Sequence, residues 1–323
     1  MMDPQAAEAS AALHRVVDAV GTVIVGDRSQ IELCAIAWLC GGHVLIEDVP
    51  GVGKTMLAKA LAGATGCQFD RVQFTPDLLP SDITGVNIYN PSRGAFEFRR
   101  GPVFTQILLA DEINRATPKT QSALLEAMEE GQVTVDGTTH ALPQPFVVLA
   151  TQNPIEYAGT FPLPEAQVDR FLIRVSLGYL DLAGEIQILD RFERGSPLAQ
   201  IEPQVSADQL PRLRRALPTV HVDPSLQAYL VRVVQRTRSH PELALGASPR
   251  ASLGLLHAAR GLALVRGRDY VIPDDIKELA PAVLLHRLVL RAAAELRGSA
   301  AADVLAEVLD TEPVPALGQR VAG

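Results

Sequence analysis

Short apolar runs alternate with helix-like segments over the first 180 residues, and this alternation restricts the fold more than any other feature. The runs predict strands at 43–48, 69–74, 106–111, 146–151 and 171–177. Helix-like segments fall near 28–40, 54–65 and 119–130. Several runs are apolar on consecutive residues, as expected of strands that helices cover on both faces. The pattern therefore predicts an α/β fold built on a parallel sheet of five strands.

Two inserts interrupt this alternation. Residues 85–104 contain a turn signal at Asn90-Pro91-Ser92. Residues 131–146 alternate polar and apolar side chains around Asp136-Gly137, a pair that is typical of tight hairpin turns. The second insert is therefore predicted to be a β-hairpin.

Helical periodicity replaces the strand pattern after residue 180. Asp223-Pro224 and Ser248-Pro249 each combine a capping side chain with a proline, which is typical of helix starts. Residues 1–180 contain 20 acidic and 12 basic residues, whereas residues 181–323 contain 17 of each. We therefore expect an α/β domain over 1–180, followed by an all-helical domain over 181–323.

Composition excludes several classes of protein. The net charge of −8 and the absence of a basic stripe argue against a nucleic-acid surface. No apolar stretch is long enough to span a bilayer, and the N-terminal residues lack the pattern of a signal peptide. Cys34, Cys40 and Cys67 have no metal-ligand spacing, which favours buried free thiols. We expect a cytosolic protein without membrane insertion.

The segment "EDVPGVGKT", residues 47–55, follows the first predicted strand and precedes a helix. It matches the phosphate-binding pattern G-x-x-x-x-G-K-[ST] except that Asp48 replaces the first glycine. Gly51 and Gly53 would let backbone N–H groups point at phosphates, next to a helix N-terminus. Lys54 would reach the β and γ phosphates, and Thr55 would offer its hydroxyl to Mg²⁺. A plain strand–helix turn explains the glycines but not the Lys-Thr pair.

Further polar residues follow the third and fourth predicted strands. Asp111 and Glu112 end the run "ILLAD" and begin "EINRA", and Asn153 follows "FVVLATQ". Parallel strands bring such ends to the edge that holds the phosphate loop. Asp111 would hold Mg²⁺ through water, Glu112 would orient the attacking water, and Asn153 could contact the water or the γ-phosphate. Alternatively, Asp111 caps the next helix and Asn153 belongs to an ordinary Asn-Pro turn.

Two arginines occupy positions that call for an explanation. Arg170 lies just before the last predicted strand, and Arg250 lies in the first turn of a helix, where it opposes the helix dipole. A negatively charged ligand would offset that cost, which is about 0.3–1 kcal/mol. An ordinary surface salt bridge is the alternative for each arginine.

The order and spacing of "EDVPGVGKT", "LLADEINRA", "ATQNP", "PLPEAQVDRF" and "GASPRA" resemble the MoxR family of AAA+ ATPases over residues 20–300. This resemblance implies a P-loop AAA+ domain with two β-hairpin inserts, at 85–104 and 131–146, and a helical lid. It also implies a homo-oligomeric ring, usually a hexamer, with nucleotide at the subunit interfaces.

The resemblance also assigns roles to residues. Arg170 matches the arginine finger that reaches a neighbour's γ-phosphate, Arg250 matches the lid's sensor arginine, and Asn153 matches the sensor polar residue. Arg115, in "DEINRA", is a further candidate for the finger. ATP would be bound by Val25, Gly26, Pro50, Gly51, Val52, Gly53, Lys54, Thr55 and Met56. Mg²⁺ would be held by Thr55 and Asp111.

Members of this family are associated with chaperone-like remodelling, which includes metal insertion and the maturation of protein complexes. The resemblance therefore implies a client protein and a partner with a von Willebrand factor A domain, both supplied in trans. Two alternatives stay open. The chain could be the motor subunit of a magnesium-chelatase-like complex, or a scaffold that ATP binding assembles and in which hydrolysis is incidental.

Overall fold

The computed structural model describes residues 2–154, 159–193 and 195–315. Its strands are β1 (His43–Glu47), β2 (Phe69–Gln73), β3 (Gly85–Asn90), β4 (Ala95–Arg100), β5 (Ile107–Asp111), β6 (Gln132–Val135), β7 (Thr138–Ala141), β8 (Val147–Gln152), β9 (Phe171–Val175), β10 (Leu243–Leu245) and β11 (Val289–Leu290). Its α-helices are α1 (Pro4–Val23), α2 (Arg28–Cys40), α3 (Lys54–Thr65), α4 (Pro80–Thr84), α5 (Pro118–Glu130), α6 (Glu165–Val168), α7 (Leu182–Glu193), α8 (Leu210–Arg214), α9 (Pro224–Ser239), α10 (Pro249–Val265), α11 (Pro273–Leu284), α12 (Ala292–Glu295) and α13 (Ala301–Thr311).

The main sheet has five strands in the order β2-β5-β8-β1-β9, and the pairs β2–β5, β5–β8 and β8–β1 are parallel. The first four residues of β1, β5 and β8 are all buried, which confirms that both faces of these strands are covered. Each of the five predicted strands is present within two residues of its expected bounds. The carboxyl ends of β1, β5 and β8 therefore lie side by side on one edge.

Both inserts form two-stranded antiparallel hairpins, β3–β4 and β6–β7. Asp136 and Gly137 connect β6 to β7, and both have positive φ angles, +49° and +79°. This is the conformation that a two-residue turn between twisted strands requires. Asn87 of the first hairpin donates from Nδ2 to Asp136 Oδ2 of the second at 2.7 Å.

The chain forms two compact units. One comprises residues 15–171 and 175–210, and the other comprises residues 1–14, 172–174 and 211–323. This grouping differs from the boundary at residue 180 that composition suggests. The reason is that the chain after α7 returns along α3, where Gln204 N donates to Ala64 O at 2.8 Å and the Ile201 side chain lies against Gly63.

The second unit contains the expected helices and one feature that the pattern did not predict. Asp223 and Ser248 accept hydrogen bonds from the backbone N–H groups of Ser225 and Arg250, so both predicted helix starts are confirmed. However, β10 and β11 pair antiparallel, so the expectation of an all-helical region is corrected. The two strands are so short that no alternating pattern marks them.

The three cysteines are free, as expected, but they are not equally buried. Cys34 is fully buried, and this burial raises the pKa of its thiol to about 12. Cys40 and Cys67 are partly exposed. In the described part of the chain, no helix has the length and apolar character needed to cross a membrane.

Candidate nucleotide site

The loop between β1 and α3 has the backbone that a phosphate cradle requires. Gly51 and Gly53 have φ angles of +90° and +96°, in the left-handed region that L side chains rarely adopt. A Cβ added to either glycine would meet nothing within 4 Å, so conformation rather than space requires glycine there. Gly53 caps α3, and the free N–H groups of that helix start therefore face the loop.

Lys54 begins α3, and its ammonium group folds back over the loop. Lys54 Nζ donates to the backbone carbonyl of Asp48 at 2.5 Å. This contact keeps the positive charge next to the glycines, where a phosphate would lie. Asp48 itself is buried at the end of β1, outside the segment Gly51–Thr55 that forms the cradle.

The acidic pair sits on the neighbouring strand end. Asp111 is the last residue of β5, and Glu112 has a φ angle of +55°, which is uncommon for a side chain of this size. Thr151 of β8 stabilises this turn, because its Oγ1 donates to Asp111 Oδ1 at 2.6 Å and accepts from Glu112 N at 2.8 Å. A buried hydroxyl thus fixes both acidic residues at once.

Two residues of β2 complete the hydrogen bonds of the acidic pair. Arg71 Nη2 donates to Asp111 Oδ2 at 2.7 Å, and Gln73 Nε2 donates to Glu112 Oε2 at 2.7 Å. Arg115 Nε also lies 3.1 Å from Glu112 Oε2. The two carboxylates are therefore oriented by neighbouring side chains before any ligand is bound.

A cavity of about 320 Å³ joins the loop to the acidic pair. Its walls are formed by Pro50, Gly51, Gly53, Lys54, Thr55, Met56, Asp111, Glu112 and Asn153. Asn153 is only 6% exposed, so its side chain belongs to the interior wall. The structure thus brings Lys54 and Asp111 to the same cavity, as the strand-end argument requires.

A second cavity, of about 460 Å³, adjoins the first and shares four of its lining residues. Its walls are mostly apolar and include Val23, Ile24, Val25, Pro50, Gly51, Val52, Gly53, Met56, Gly178, Tyr179, Leu180, Glu185, Ile188 and Phe192. Arg191 links α7 to the end of α1 at this cavity, because its Nη1 donates to Thr22 O at 2.7 Å. The flat aromatic base of a nucleotide fits such a cavity, and the phosphates of the same nucleotide would reach the first cavity.

Val25 and Gly26 are both expected to bind ATP, but of these two only Val25 lines this cavity. Gly26 stands behind the wall with a φ angle of +127°, and a Cβ there would lie 3.2 Å from Leu180 Cδ2. Its role in nucleotide binding therefore stays a prediction. In the structure Gly26 packs against Leu180, which lines the cavity.

The donors at the phosphate end fit a magnesium ion. The Thr55 hydroxyl and the Asp111 carboxylate line the same cavity, and both offer the hard oxygen atoms that Mg²⁺ prefers. Among the described residues, no group of three or more His, Cys, Asp or Glu side chains could hold a metal ion. An ion at this place would take its other ligands from phosphate and water, which is the usual arrangement for Mg²⁺.

The three candidate arginines have different surroundings. Arg170 Nη2 forms a salt bridge with Glu129 Oε2 at 2.8 Å, and Arg115 pairs with Glu112. Arg250 lies exposed in the first turn of α10 and belongs to the second compact unit. The trans-acting role of Arg170 and the lid role of Arg250 therefore stay predictions.

Sequence reasoning missed Arg71, Gln73 and Thr151. Arg71 and Gln73 are two residues apart on β2, so their side chains share one face, but only the pairing of β2 with β5 places that face at the acidic pair. Thr151 is completely buried within the quoted "ATQNP" motif, and its hydroxyl is satisfied by groups that are about 40 positions away. The one signal in the sequence that could have identified any of them is the spacing of Arg71 and Gln73, which places two polar side chains on the same face of β2.

The fold and the site define a P-loop nucleotide-binding protein of the AAA+ class. Residues 43–173 match the model described as "ATPase family associated with various cellular activities (AAA)", and residues 235–308 match "AAA lid domain". Protein YeaC of Bacillus subtilis is 51% identical over 94% of this chain and 95% of its own length. Chaperone MoxR1 of Mycobacterium tuberculosis is 48% identical over 86% of this chain and 76% of its own length.

A crystal structure described as that of a "putative ATPase" from Cytophaga hutchinsonii also superposes on nearly all of this chain. Its TM-score is 0.90, with 40% identity over 97% of both chains. The chain therefore belongs to the MoxR family of AAA+ ATPases, and it is an ATP hydrolase.

Proposed function

We propose that this protein is a Mg²⁺-dependent ATPase that couples hydrolysis, within a homo-oligomeric ring, to chaperone-like remodelling, maturation or metal insertion of client protein complexes. The observation that carries the proposal is the single cavity lined by Lys54, Thr55, Asp111, Glu112 and Asn153. This set supplies a cation that can bind phosphate, oxygen atoms that can bind a metal ion, and a carboxylate that can activate the attacking water.

Each residue has a separate task at the phosphate end. The N–H groups after Gly51 and Gly53 bind phosphate oxygens, and the Lys54 ammonium leaves the Asp48 carbonyl to contact the β and γ phosphates. Glu112 accepts a proton from the attacking water and holds that water in line. When bound between Thr55 and Asp111, Mg²⁺ would neutralise charge on the phosphates.

The preorganised hydrogen bonds explain how Glu112 can be placed without a large rearrangement. Its backbone is held in the left-handed region by the N–H donated to Thr151, and its carboxylate is held by Gln73. Little orientational freedom then remains to be lost when water and ATP bind, which favours catalysis.

Energy coupling would use the two arginines outside this set. Arg170 would exchange its Glu129 partner for the γ-phosphate of a neighbouring subunit, and Arg250 would contact the same phosphate from the lid. Loss of the γ-phosphate on hydrolysis would release both contacts, so hydrolysis biases one arrangement of the subunits over another. Arg115 is the alternative finger, although its present partner is Glu112.

The proposed client function draws on the relatives. One close relative is named a chaperone, which supports protein remodelling as the output. A partner with a von Willebrand factor A domain, a hexameric ring and a cytosolic location are the finer parts of this proposal.

Complementation between two inactive variants tests the ring mechanism. Lys54→Ala removes the phosphate contact, and Arg170→Ala removes the finger. If Arg170 acts in trans, mixing the two variants restores part of the ATP turnover, because some interfaces then combine an intact phosphate loop with an intact finger. Turnover is measured as phosphate release.

Glu129→Gln is the matched control, since it removes the salt bridge seen here and leaves Arg170 in place. This variant should keep its turnover. A fully active Arg170→Ala variant would show that the arginine only forms a surface ion pair, and the same mixing with Arg115→Ala then decides whether Arg115 is the finger.

A further inference from the structure

Asp48 occupies the position where the phosphate-loop pattern has its first glycine, yet its carboxylate accepts hydrogen bonds from residues outside Gly51–Thr55. The residue is 6% exposed, and its carboxylate accepts four hydrogen bonds. Oδ2 accepts from Leu177 N at 2.5 Å, from Gly178 N at 2.8 Å and from Ser176 Oγ at 3.3 Å. Oδ1 accepts from Val49 N at 2.9 Å.

All four donors are uncharged, and three of them belong to the segment that follows β9. A buried carboxylate is costly unless its oxygens are well satisfied, so this cluster needs an explanation beyond the shape of the loop. The phosphate cradle is made by Gly51–Thr55, and a glycine at position 48 would serve it equally well. The side chain of Asp48 therefore has a separate task.

The segment that Asp48 holds is the wall of the apolar cavity. Gly178, Tyr179 and Leu180 all line that cavity, and Gly178 adopts a φ angle of +67° directly after its N–H bond to Asp48. The backbone carbonyl of the same aspartate accepts from Lys54 Nζ. One residue thus touches both the phosphate end and the base end of the site.

We propose that Asp48 is a positioning residue for the nucleotide base: it fixes the wall at 176–180 relative to the phosphate loop. Base and phosphates can then bind together without ordering the wall first, which improves affinity through preorganisation. This inference rests on the proposed nucleotide site, and it concerns the base end of that site. The affinity for ATP should depend on Asp48, whereas the affinity for a ligand without a base should not.

The test compares ATP with inorganic tripolyphosphate, both measured by titration calorimetry in the presence of Mg²⁺. Asp48→Gly restores the usual phosphate-loop pattern and removes the acceptor of Leu177 and Gly178. We expect ATP affinity to fall by about tenfold to a hundredfold, the range expected for lost hydrogen bonds to a charged group. Tripolyphosphate affinity should stay within about twofold of the wild type, because the cradle is unchanged.

Asp48→Asn provides a second variant that keeps the size of the side chain. Its amide keeps one acceptor oxygen, so the loss of ATP affinity should be smaller than for Asp48→Gly and in the same direction. In turnover assays both variants should raise KM with little change in kcat, the pattern of a lost ground-state contact. Asp208→Asn, the same change at an exposed aspartate, is the control and should bind like the wild type.

Several outcomes would overturn the inference. Unchanged ATP affinity in both variants would do so, and so would an equal loss of affinity for ATP and tripolyphosphate, which would assign Asp48 to the cradle. If Asp48→Gly does not fold, as judged by circular dichroism, the Asp48→Asn variant replaces it. The inference then holds only if Asp48→Asn loses more affinity for ATP than for tripolyphosphate. A wild-type protein that binds neither compound would instead refute the proposed nucleotide site, and this inference with it.

Discussion

The two ends of the candidate site are built in different ways. At the phosphate end, Thr151, Arg71 and Gln73 hold the two carboxylates through hydrogen bonds of 2.6–2.7 Å. At the base end the walls are mainly apolar, and two of their side chains are largely in solvent, with Tyr179 79% exposed and Phe192 58% exposed. Hydrogen bonds orient the reacting carboxylates themselves at the phosphate end, whereas at the base end they hold only the segment 176–178 behind an apolar contact surface.

Because of this difference, we expect substitutions at the two ends to change different kinetic constants. Changes at the phosphate end should act on kcat or abolish binding, because they remove charge and orientation that the reaction requires. Changes at the base end should act on KM, because they remove contacts that are the same in the ground state and the transition state. The following variants test that division, from the largest expected effect to the smallest.

Lys54→Ala should remove ATP binding and leave no measurable turnover. The loss of a desolvated charge contact costs about 2–5 kcal/mol, which corresponds to about thirtyfold to several thousandfold in affinity. Binding is measured with a fluorescent ATP analogue. Lys59→Ala, an exposed lysine on the same helix, is the control, and equal binding by both variants would contradict the role of Lys54.

Glu112→Gln should bind ATP like the wild type and lower kcat by about 10²–10⁴, the usual contribution of a general base. The amide keeps the shape and the hydrogen bond from Gln73 can rearrange, so binding is spared. Phosphate release and nucleotide binding are measured in parallel. Glu126→Gln on α5 is the control, and a normal rate for Glu112→Gln would show that another group activates the water.

Thr151→Val should lower kcat by about tenfold, which corresponds to about 1.4 kcal/mol of lost positioning. Valine keeps the volume, but it removes the acceptor of Glu112 N and the Thr151 hydroxyl that donates to Asp111 Oδ1. The free energy of unfolding should also fall by about 1–3 kcal/mol. Thr151→Ser keeps the hydroxyl and should restore the rate; if it does not, the methyl group matters more than the hydrogen bonds.

Ile188→Ala should have the smallest effect, a rise of a few-fold in KM at constant kcat. Ile188 is half-buried on the cavity side of α7, so its truncation costs about 1 kcal/mol of apolar contact with the base. Leu189→Ala is the matched control, because that neighbour is 65% exposed and does not line the cavity. A change in kcat for Ile188→Ala would contradict the expectation that changes at the base end act on KM alone.

Much of the architecture could be predicted because it depends on local signals. The apolar runs that became β1, β5 and β8 are long enough to identify strands, and Asp136-Gly137 allows few turns other than the one observed. The phosphate loop was recognisable because Gly51, Gly53 and Lys54 follow one another within four positions. The pair β10–β11 was not predictable, since strands of three and two residues carry no periodic pattern.

The sequence by itself determined the secondary-structure elements and the side chains that can bind phosphate or metal or activate water. Helix caps, glycine φ angles and strand periodicity act between near neighbours in the chain, so these features could be identified from the sequence. Tertiary structure alone decided what surrounds those residues. Placing β5 between β2 and β8 brings Arg71, Gln73 and Thr151 to the acidic pair, and the course of the chain after β9 brings three donors to Asp48. Those partners are some 40 to 130 positions apart, and no local rule of spacing links residues at such a distance.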